Sequence, residues 1–212
     1  MSENIFDMYA KEYDDWYDKH KEEFEKEVKC FKKIIDAPKP WLEIGVGSGR
    51  FAYSLGIEYG IDPSEEMIKL ARKRKIVAFI GRGENLPFPD RFFGAVFIIV
   101  TICFVEEPIR VLSESYRVLR NDGKLYLGLI PRDYPLGQLY IKKAKEGHKF
   151  YSVAKFYTIS EIRKMLTDTG FEVTKVVEAG IEPKDFVCIE AVKKRKKMRN
   201  RSKFLAPKAP PV

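Results

Sequence analysis

The sequence predicts an α/β protein with a doubly wound sheet of seven strands, mostly parallel with an antiparallel last strand, and helices on both faces. Two observations carry this prediction. Between residues 41 and 130, apolar runs of strand length alternate with helical stretches, as parallel strands joined by crossover helices require. The run AVFIIV, residues 95–100, is apolar throughout, which is typical of a strand covered on both faces.

The helices carry start and stop signals. Residues 5–35 place aromatic and aliphatic side chains at helical spacings, and prolines follow at 38 and 40. Thr158 and Glu161 form a capping-box pattern that begins the last helix, and Gly170 ends it. Helices are therefore predicted at 5–35 (as one or two), 50–57, 65–75, 108–120 and 135–169, the last with a break around Gly147.

The strands are bounded by turn residues. Asn121-Asp122-Gly123 predicts a turn between a helix and the strand after it. The last two predicted strands follow each other closely, so they can pair antiparallel. Strands are predicted at 41–46, 58–62, 76–80, 95–100, 124–130, 172–178 and 185–192.

The 212 residues suit one domain of ordinary size. We assign it to 1–192, with an N-terminal helical cap at 1–37 and an insertion at 131–157. Residues 193–212 hold nine Lys or Arg and no acidic residue, and without them the formal charge of +8 becomes −1. The basicity therefore belongs to a tail, predicted to be disordered, and the neutral body argues against a broad nucleic-acid surface.

Composition also bears on the cellular location and the source of the protein. No apolar stretch reaches the roughly 18 residues of a membrane helix, and no secretion signal is recognisable at the N-terminus, so we expect a cytoplasmic protein without a membrane span. Three scattered cysteines predict neither a disulfide framework nor a metal site. Charged residues reach 33% and glutamine occurs once, which favours a thermophilic source.

The stretch WLEIGVGSGR, residues 41–50, is a strand followed by three alternating glycines and a helix start. Such a loop lets a ligand approach the backbone, and the helix start can hold an anionic group. The dinucleotide pattern GxGxxG would need a third glycine at Arg50, so an NAD-dependent oxidoreductase is disfavoured. Glu43 would repel a pyrophosphate but suits a ligand that carries cations, such as S-adenosylmethionine.

The motif E-x-G-x-G-x-G after a strand resembles the first motif of the class I S-adenosylmethionine-dependent methyltransferases, which have a Rossmann-like fold. GIDPSEEMIKLARKR (60–74), GENLPFPDRFFGAVF (83–97) and EPIRVLSESYRVLRNDGKLYL (107–127) are similar to later motifs of that family, in the same order. The resemblance covers about residues 5–192 and is strongest to the small-molecule branch that includes quinone C-methyltransferases.

The resemblance implies site residues. Asp62 would take the ribose hydroxyls of the cofactor, and the loop after the third strand would read adenine. The cofactor-binding residues expected are Glu43, Gly45, Val46, Gly47, Gly49, Asp62, Pro63, Met67, Gly83, Glu84, Asn85, Leu86 and Thr101, with Tyr13 and Trp16 from the first helix. The resemblance also implies that the insertion 131–157 forms the acceptor pocket, and the acceptor is expected to contact Phe104, Tyr134, Tyr140 and Tyr151.

Three positions depart from the family pattern. Arg82 stands where an aspartate often binds the adenine amino group, so Glu84, Asn85 or a backbone carbonyl must serve. Gly94 replaces the aspartate of a common Phe-Asp pair, and Phe104 replaces a frequent histidine. No catalytic base can be named from the sequence.

The predicted activity is transfer of a methyl group to an O, N or C atom of a small molecule by in-line displacement. His20 and His148 lie in lysine-rich runs and are expected at the surface, and Cys103 is expected to be an inert buried thiol. Two alternatives remain open: an RNA or protein methyltransferase steered by the tail, and a non-catalytic module that binds S-adenosylmethionine. The sequence leaves the acceptor and the oligomeric state open.

Overall fold

The computed structural model describes residues 5–179 and 185–194. Within them the strands are β1 (Trp41–Ile44), β2 (Tyr59–Asp62), β3 (Val77–Ile80), β4 (Phe93–Ile99), β5 (Leu119–Leu129), β6 (Phe171–Ala179) and β7 (Phe186–Lys193). The helices are α1 (Ile5–Met8), α2 (Ala10–Lys19), α3 (Lys21–Lys32), α4 (Arg50–Leu55), α5 (Glu65–Lys73), α6 (Pro108–Val118), α7 (Pro135–Lys145) and α8 (Ile159–Asp168). A short 3₁₀ helix covers Tyr151–Val153.

The seven strands form one sheet in the order β3-β2-β1-β4-β5-β7-β6. Strands β1 to β5 pair in parallel, and β7 runs antiparallel to both of its neighbours. The predicted Rossmann-like sheet is therefore confirmed. The strand order reverses between β1 and β4, and in such sheets ligands bind beyond the carboxyl ends of the strands at this point.

Both faces of the sheet are buried under helices. All seven residues of β4 are buried, so its side chains supply both cores. On one face, Val96 and Ile98 belong to the cluster that includes Leu112 of α6 and Leu166 of α8. On the other face, Phe97 belongs to the cluster that contains residues of α3, α4 and α5. This double coverage explains the continuous apolar run in the sequence.

Local capping fixes two helix starts. At α8, Thr158 Oγ1 accepts a hydrogen bond from Glu161 N at 3.2 Å, and Glu161 Oε2 accepts one from Thr158 N at 2.7 Å. This is the predicted capping box. At α5, Ser64 Oγ accepts a hydrogen bond from Met67 N at 3.2 Å, so the helix begins immediately after β2. The side chains that follow β2 are thereby held at the carboxyl edge of the sheet.

Two predicted boundaries are wrong. Residues 121–123 belong to β5, which begins at Leu119, and α6 ends at Val118. The pairing shifts from Phe93 with Leu119 to Ala95 with Lys124, so the turn residues form a bulge inside the strand rather than a turn before it. The break predicted around Gly147 within 135–169 is present: α7 ends at Lys145, Gly147 has a left-handed φ of 85°, and an extended segment precedes α8.

Two residues of the predicted basic tail, Lys193 and Lys194, lie in or directly beside β7. Lys193 is the last residue of β7, and Lys194 N donates a hydrogen bond to Gly170 O at 2.8 Å. Residues 195–212, with the rest of the predicted tail, lie outside the described residues. Among the described ranges, no helix combines the length and apolar character that a bilayer crossing needs.

Candidate active site

A cavity of about 500 Å³ opens where β1, β2 and β4 end. Its walls come from the N-terminal helices, the glycine loop, the segment after β3 and the segment after β4. The lining residues are Ile5, Phe6, Tyr13, Tyr17, Glu43, Ile44, Gly45, Val46, Gly47, Ser48, Arg50, Phe51, Ile61, Asp62, Pro63, Met67, Gly81, Arg82, Gly83, Glu84, Ile99, Val100, Thr101, Phe104, Val105, Glu106 and Val153.

The glycine loop needs its glycines for backbone conformation. Gly45, Gly47 and Gly49 have φ of 70°, 50° and 82°, a region that residues with a Cβ rarely adopt. A Cβ on Gly45 would also overlap the Thr101 side chain, which packs against the loop from the end of β4. The loop is thus shaped by local sequence and held by its neighbours before any ligand is added.

Asp62 at the end of β2 holds the loop. Its Oδ2 accepts a hydrogen bond from Gly47 N at 2.9 Å, and its Oδ1 accepts one from Ser64 N at 2.9 Å. Burial raises the pKa of Asp62 to about 6, although the two backbone N–H groups act to lower it. Each carboxylate oxygen has a second lone pair available to a ligand, so the group can serve the loop and a ligand together.

Glu43 is a buried carboxyl with an unpaired oxygen. Its residue is 1% exposed, and Oε2 has no hydrogen-bond partner among the described residues. Burial raises the pKa of Glu43 well above its usual range. A cationic ligand group in the cavity would supply the missing partner and favour the ionised form.

Glu84 carries a second unpaired oxygen. Its Oε1 is buried in the cavity wall without a partner among residues 5–179 and 185–194. Arg82 Nε lies 3.5 Å from the other oxygen, and Arg82 Nη2 lies 3.0 Å from Glu106 Oε1. Arg82 is therefore occupied by carboxylates, and Glu84 is left with one oxygen free to accept a hydrogen bond.

Phe6 lies at the centre of an aromatic cluster beside the cavity. Its ring centroid is 5.6 Å from that of Tyr13, 5.2 Å from that of Phe104 and 5.7 Å from that of Phe150. The cluster joins the N-terminal helices to the segments after β4 and α7. It gives this end of the cavity an apolar, aromatic wall.

The structure brings most predicted site residues to the cavity. Twelve of them line it: Tyr13, Glu43, Gly45, Val46, Gly47, Asp62, Pro63, Met67, Gly83, Glu84, Thr101 and Phe104.

Among the other predicted cofactor residues, four are not among the lining residues. Gly49 packs against Ala71 and shapes the loop. Leu86 is buried in the core beneath α6, whereas Asn85 is exposed. Trp16 stacks on His20 with 4.2 Å between centroids.

The predicted acceptor tyrosines lie elsewhere. Tyr140 and Tyr151 stack on each other at 4.1 Å between centroids, and Tyr151 borders a separate surface hollow that includes Arg132. The Tyr134 hydroxyl donates to Glu178 Oε1 at 2.6 Å. The aromatic residues that reach the cavity without having been predicted are Phe6 and Phe51. Tyr17, which belongs to the helical pattern of 5–35 together with Tyr13, also lines the cavity, but no local signal distinguished a cavity-facing ring from a core ring.

Among the described residues that line the cavity there is no histidine or cysteine. Burial raises the pKa of the Cys103 thiol to about 12, which agrees with the prediction that it is inert. His148 is half-buried and stacks on Tyr151 at 4.1 Å between centroids. In the described part of the chain, no group of three His, Cys, Asp or Glu side chains could hold a metal ion.

Comparison with known proteins agrees with this geometry. A family model described as methyltransferase domain matches residues 42–127. The crystal structure of a Thermotoga maritima protein, titled SAM-dependent methyltransferase, possible histamine N-methyltransferase, superposes with a TM-score of 0.82 at 34% identity, covering 90% of this chain and 98% of that one.

Two curated sequences are also similar. An uncharacterized protein of Methanocaldococcus jannaschii is 41% identical over 175 residues, which is 82% of this chain and 84% of the relative. The demethylmenaquinone methyltransferase of Thermotoga maritima is 29% identical over 202 residues, covering 80% of this chain and 87% of the relative. The sheet order, the glycine loop at the switch point and these similarities lead to one conclusion: the chain belongs to the class I S-adenosylmethionine-dependent methyltransferases, and S-adenosylmethionine is its cofactor.

Proposed function

We propose that the chain transfers the methyl group of S-adenosylmethionine to an O, N or C atom of a small molecule that enters the cavity. One observation carries the choice of a small acceptor. The N-terminal helices supply four lining residues of the cavity: Ile5, Phe6, Tyr13 and Tyr17. A cavity walled in this way admits a metabolite far more readily than a folded polymer.

The charges of the wall support the same choice. Arg50 and Arg82 are the cationic side chains that line the cavity. Arg50 is paired with Asp14 and Asp18, and Arg82 with Glu84 and Glu106. Recognition of a nucleic-acid backbone uses unpaired lysines and arginines, and the described residues of this wall include none.

The residues present fit the cofactor. The Asp62 carboxylate can accept the two ribose hydroxyls, and the unpaired Glu43 oxygen can accept from the ammonium group. When bound, S-adenosylmethionine supplies a methyl group on a sulfonium, which is already an activated leaving group. The chain's own residues then have to orient the acceptor and exclude water, and aromatic faces such as that of Tyr13 suit this task.

We infer that the free oxygen of Glu84 accepts a hydrogen bond from the adenine amino group, in place of the aspartate that Arg82 replaces. Glu84→Ala should then weaken binding of S-adenosylhomocysteine by about 1–2 kcal/mol. Glu84→Gln keeps an acceptor oxygen and should lose less. S-inosylhomocysteine lacks the amino group, so calorimetry with both ligands should show that Glu84→Ala also loses the preference for adenine. If the alanine variant keeps the full preference, the amino group is recognised elsewhere.

The acceptor end of the cavity is aromatic. One relative is described as a possible histamine N-methyltransferase and another as a demethylmenaquinone methyltransferase. Histamine carries a planar imidazole ring and demethylmenaquinone a planar quinone ring, and such rings suit the aromatic wall formed by Phe6, Tyr13 and Phe104. We therefore place amines that carry an aromatic ring, and quinones, first among the acceptor classes to be tested.

A library of amines, phenols and quinones, with RNA and protein pools beside them, tests the proposal through release of S-adenosylhomocysteine. Deletion of residues 195–212 should leave turnover of the small acceptor unchanged, and it spares Lys193, whose Nζ donates to Leu119 O at 2.6 Å. Turnover limited to RNA or protein, and lost with the tail, would instead establish the tail-steered alternative.

A further inference from the structure

Asp14 of α2 is a buried charge in direct contact with the glycine loop. The residue is 8% exposed, and all its ionic partners come from outside its own helix. Oδ1 accepts from Ser48 Oγ at 2.5 Å and from Arg50 Nε at 2.7 Å. Oδ2 accepts from Arg50 Nη2 at 3.1 Å and from Arg74 Nη2 at 2.9 Å. Both carboxylate oxygens are thus fully used.

The partners of Asp14 are the loop and its support. Ser48 lies between two of the loop glycines, and Arg50 begins α4 directly after the third. Arg74, just after α5, donates from Nη1 to Ser48 O at 2.9 Å as well as to Asp14. The carboxylate of Asp14 therefore completes a network that fixes the loop from the side of the N-terminal helices.

Both sides of this contact line the cavity. Tyr13 and Tyr17, one and three residues from Asp14 on α2, line the cavity together with Ser48 and Arg50. Burial alone would raise the pKa of Asp14, but the bonds from Arg50, Ser48 and Arg74 hold it at about 2. The Asp14 carboxylate therefore stays charged at neutral pH. Two arginines, Arg50 and Arg74, balance the negative charges of Asp14 and Asp18.

We propose that Asp14 is a positioning residue: it latches the lid, α1 and α2 (residues 5–19), onto the glycine loop and thereby sets how fast the cofactor product leaves. Opening the lid far enough to release a ligand requires Asp14 to give up its bonds to Ser48, Arg50 and Arg74. Closure of the lid and ordering of the glycine loop then occur together. The inference rests on the cofactor position proposed above and not on the identity of the acceptor.

The test compares Asp14→Ala with Asp18→Ala. Asp18 lies one turn further along α2, binds the same Arg50 at 2.7 Å, and has a side chain that is 67% exposed, so it is a matched control. Dissociation of S-adenosylhomocysteine is measured by stopped-flow fluorescence, and hydrogen exchange of the lid amides is measured with and without this ligand.

Asp14→Ala should release S-adenosylhomocysteine at least about tenfold faster and lose the protection that the ligand gives to the lid, because charged hydrogen bonds are removed. Asp18→Ala should stay within about twofold of the wild type, because its pair with Arg50 is largely solvated. The inference is overturned if Asp14→Ala releases S-adenosylhomocysteine at the wild-type rate and keeps the wild-type protection of the lid amides. It is also overturned if Asp18→Ala has the same effect as Asp14→Ala.

Asp14→Asn guards against a folding defect. Hydrogen exchange in β1 and β4 shows whether Asp14→Ala is globally unfolded. In that case the asparagine variant, which keeps the shape of the side chain and one acceptor oxygen, is used instead. It must release S-adenosylhomocysteine faster than the wild type while its core stays intact, or the inference fails. A wild-type chain that does not bind S-adenosylhomocysteine at all would instead refute the cofactor position, so the two failures are distinguishable.

Discussion

Asp62→Ala is expected to weaken binding of S-adenosylhomocysteine by about 1–3 kcal/mol, the cost of losing hydrogen bonds to a charged group. The upper part of this range is expected, because the substitution also removes the acceptor for Gly47 N and Ser64 N. The glycine loop would then lose a contact that shapes it before the ligand arrives. Isothermal calorimetry gives the affinity directly, and unchanged affinity would mean that the ribose is held by other residues.

The pH dependence of binding offers a separate check on Asp62. Its pKa is raised by burial from 3.8 to about 6, so the free protein takes up a proton there as the pH is lowered through 6. Only the ionised carboxylate can accept from both ribose hydroxyls while it holds two backbone amides. Affinity should therefore fall below pH 6, and Asp62→Asn, which does not titrate, should remove the part of this fall that Asp62 causes.

The same shift bears on stability with the opposite sign. Because the folded-state pKa is raised, ionised Asp62 costs the folded protein free energy above pH 6, and this cost is relieved as the pH falls from about 6 toward 3.8. Loss of affinity at low pH would thus not reflect a weaker fold at this residue. A thermal melt of the free protein at each pH separates the two effects.

Gly94→Ala should be the most destabilising single methyl addition in the sheet. A Cβ on Gly94 would lie within bonding range of the Pro38 carbonyl oxygen, which is backbone and cannot rotate away. We expect a loss of about 3 kcal/mol in the free energy of unfolding, measured by denaturant titration. This packing also explains why the aspartate of the common Phe-Asp pair is absent here.

Gly147→Ala is the control for Gly94→Ala. Gly147 has a φ of 85°, and a Cβ there would meet no atom within 4 Å, so only backbone strain is added. Its expected cost is about 1 kcal/mol. If the two variants lose equal stability, the contact with Pro38 is relieved by a small backbone shift and carries no special cost.

The fold and the cofactor loop could be predicted because their signals are local. A parallel strand buried on both faces needs a continuous apolar run, so the strand could be predicted from residues 95–100. A loop with left-handed backbone conformations needs glycines at fixed positions, so the cofactor loop could be predicted from residues 45–49. The bulge at 120–123 was read as a turn because Asn, Asp and Gly serve both purposes. Only the partner strand, with Gly94 opposite the bulge, decides between them.

The aromatic wall of the cavity could not be predicted in the same way. Segment 131–157 is rich in aromatic residues, as the wall of an apolar pocket would be. However, Tyr140 of α7 stacks on Tyr151 and does not line the cavity. Phe6 reaches the cavity instead, from a short helix with little pattern of its own. The contact between Asp14 and Arg50 joins residues 36 positions apart, and no sequence period links them.

The buried carboxyl of Glu43 links ligand binding to the release of a proton. In the free protein burial raises its pKa well above the usual range, so its proton is retained to higher pH than on a solvated carboxyl. In the pH range where the free carboxyl is protonated, an ammonium group placed against Oε2 would favour the ionised form and release that proton to the solvent. Binding heat should then vary with the ionisation enthalpy of the buffer, and one carboxyl would link methyl-donor occupancy to the acidity of the surroundings.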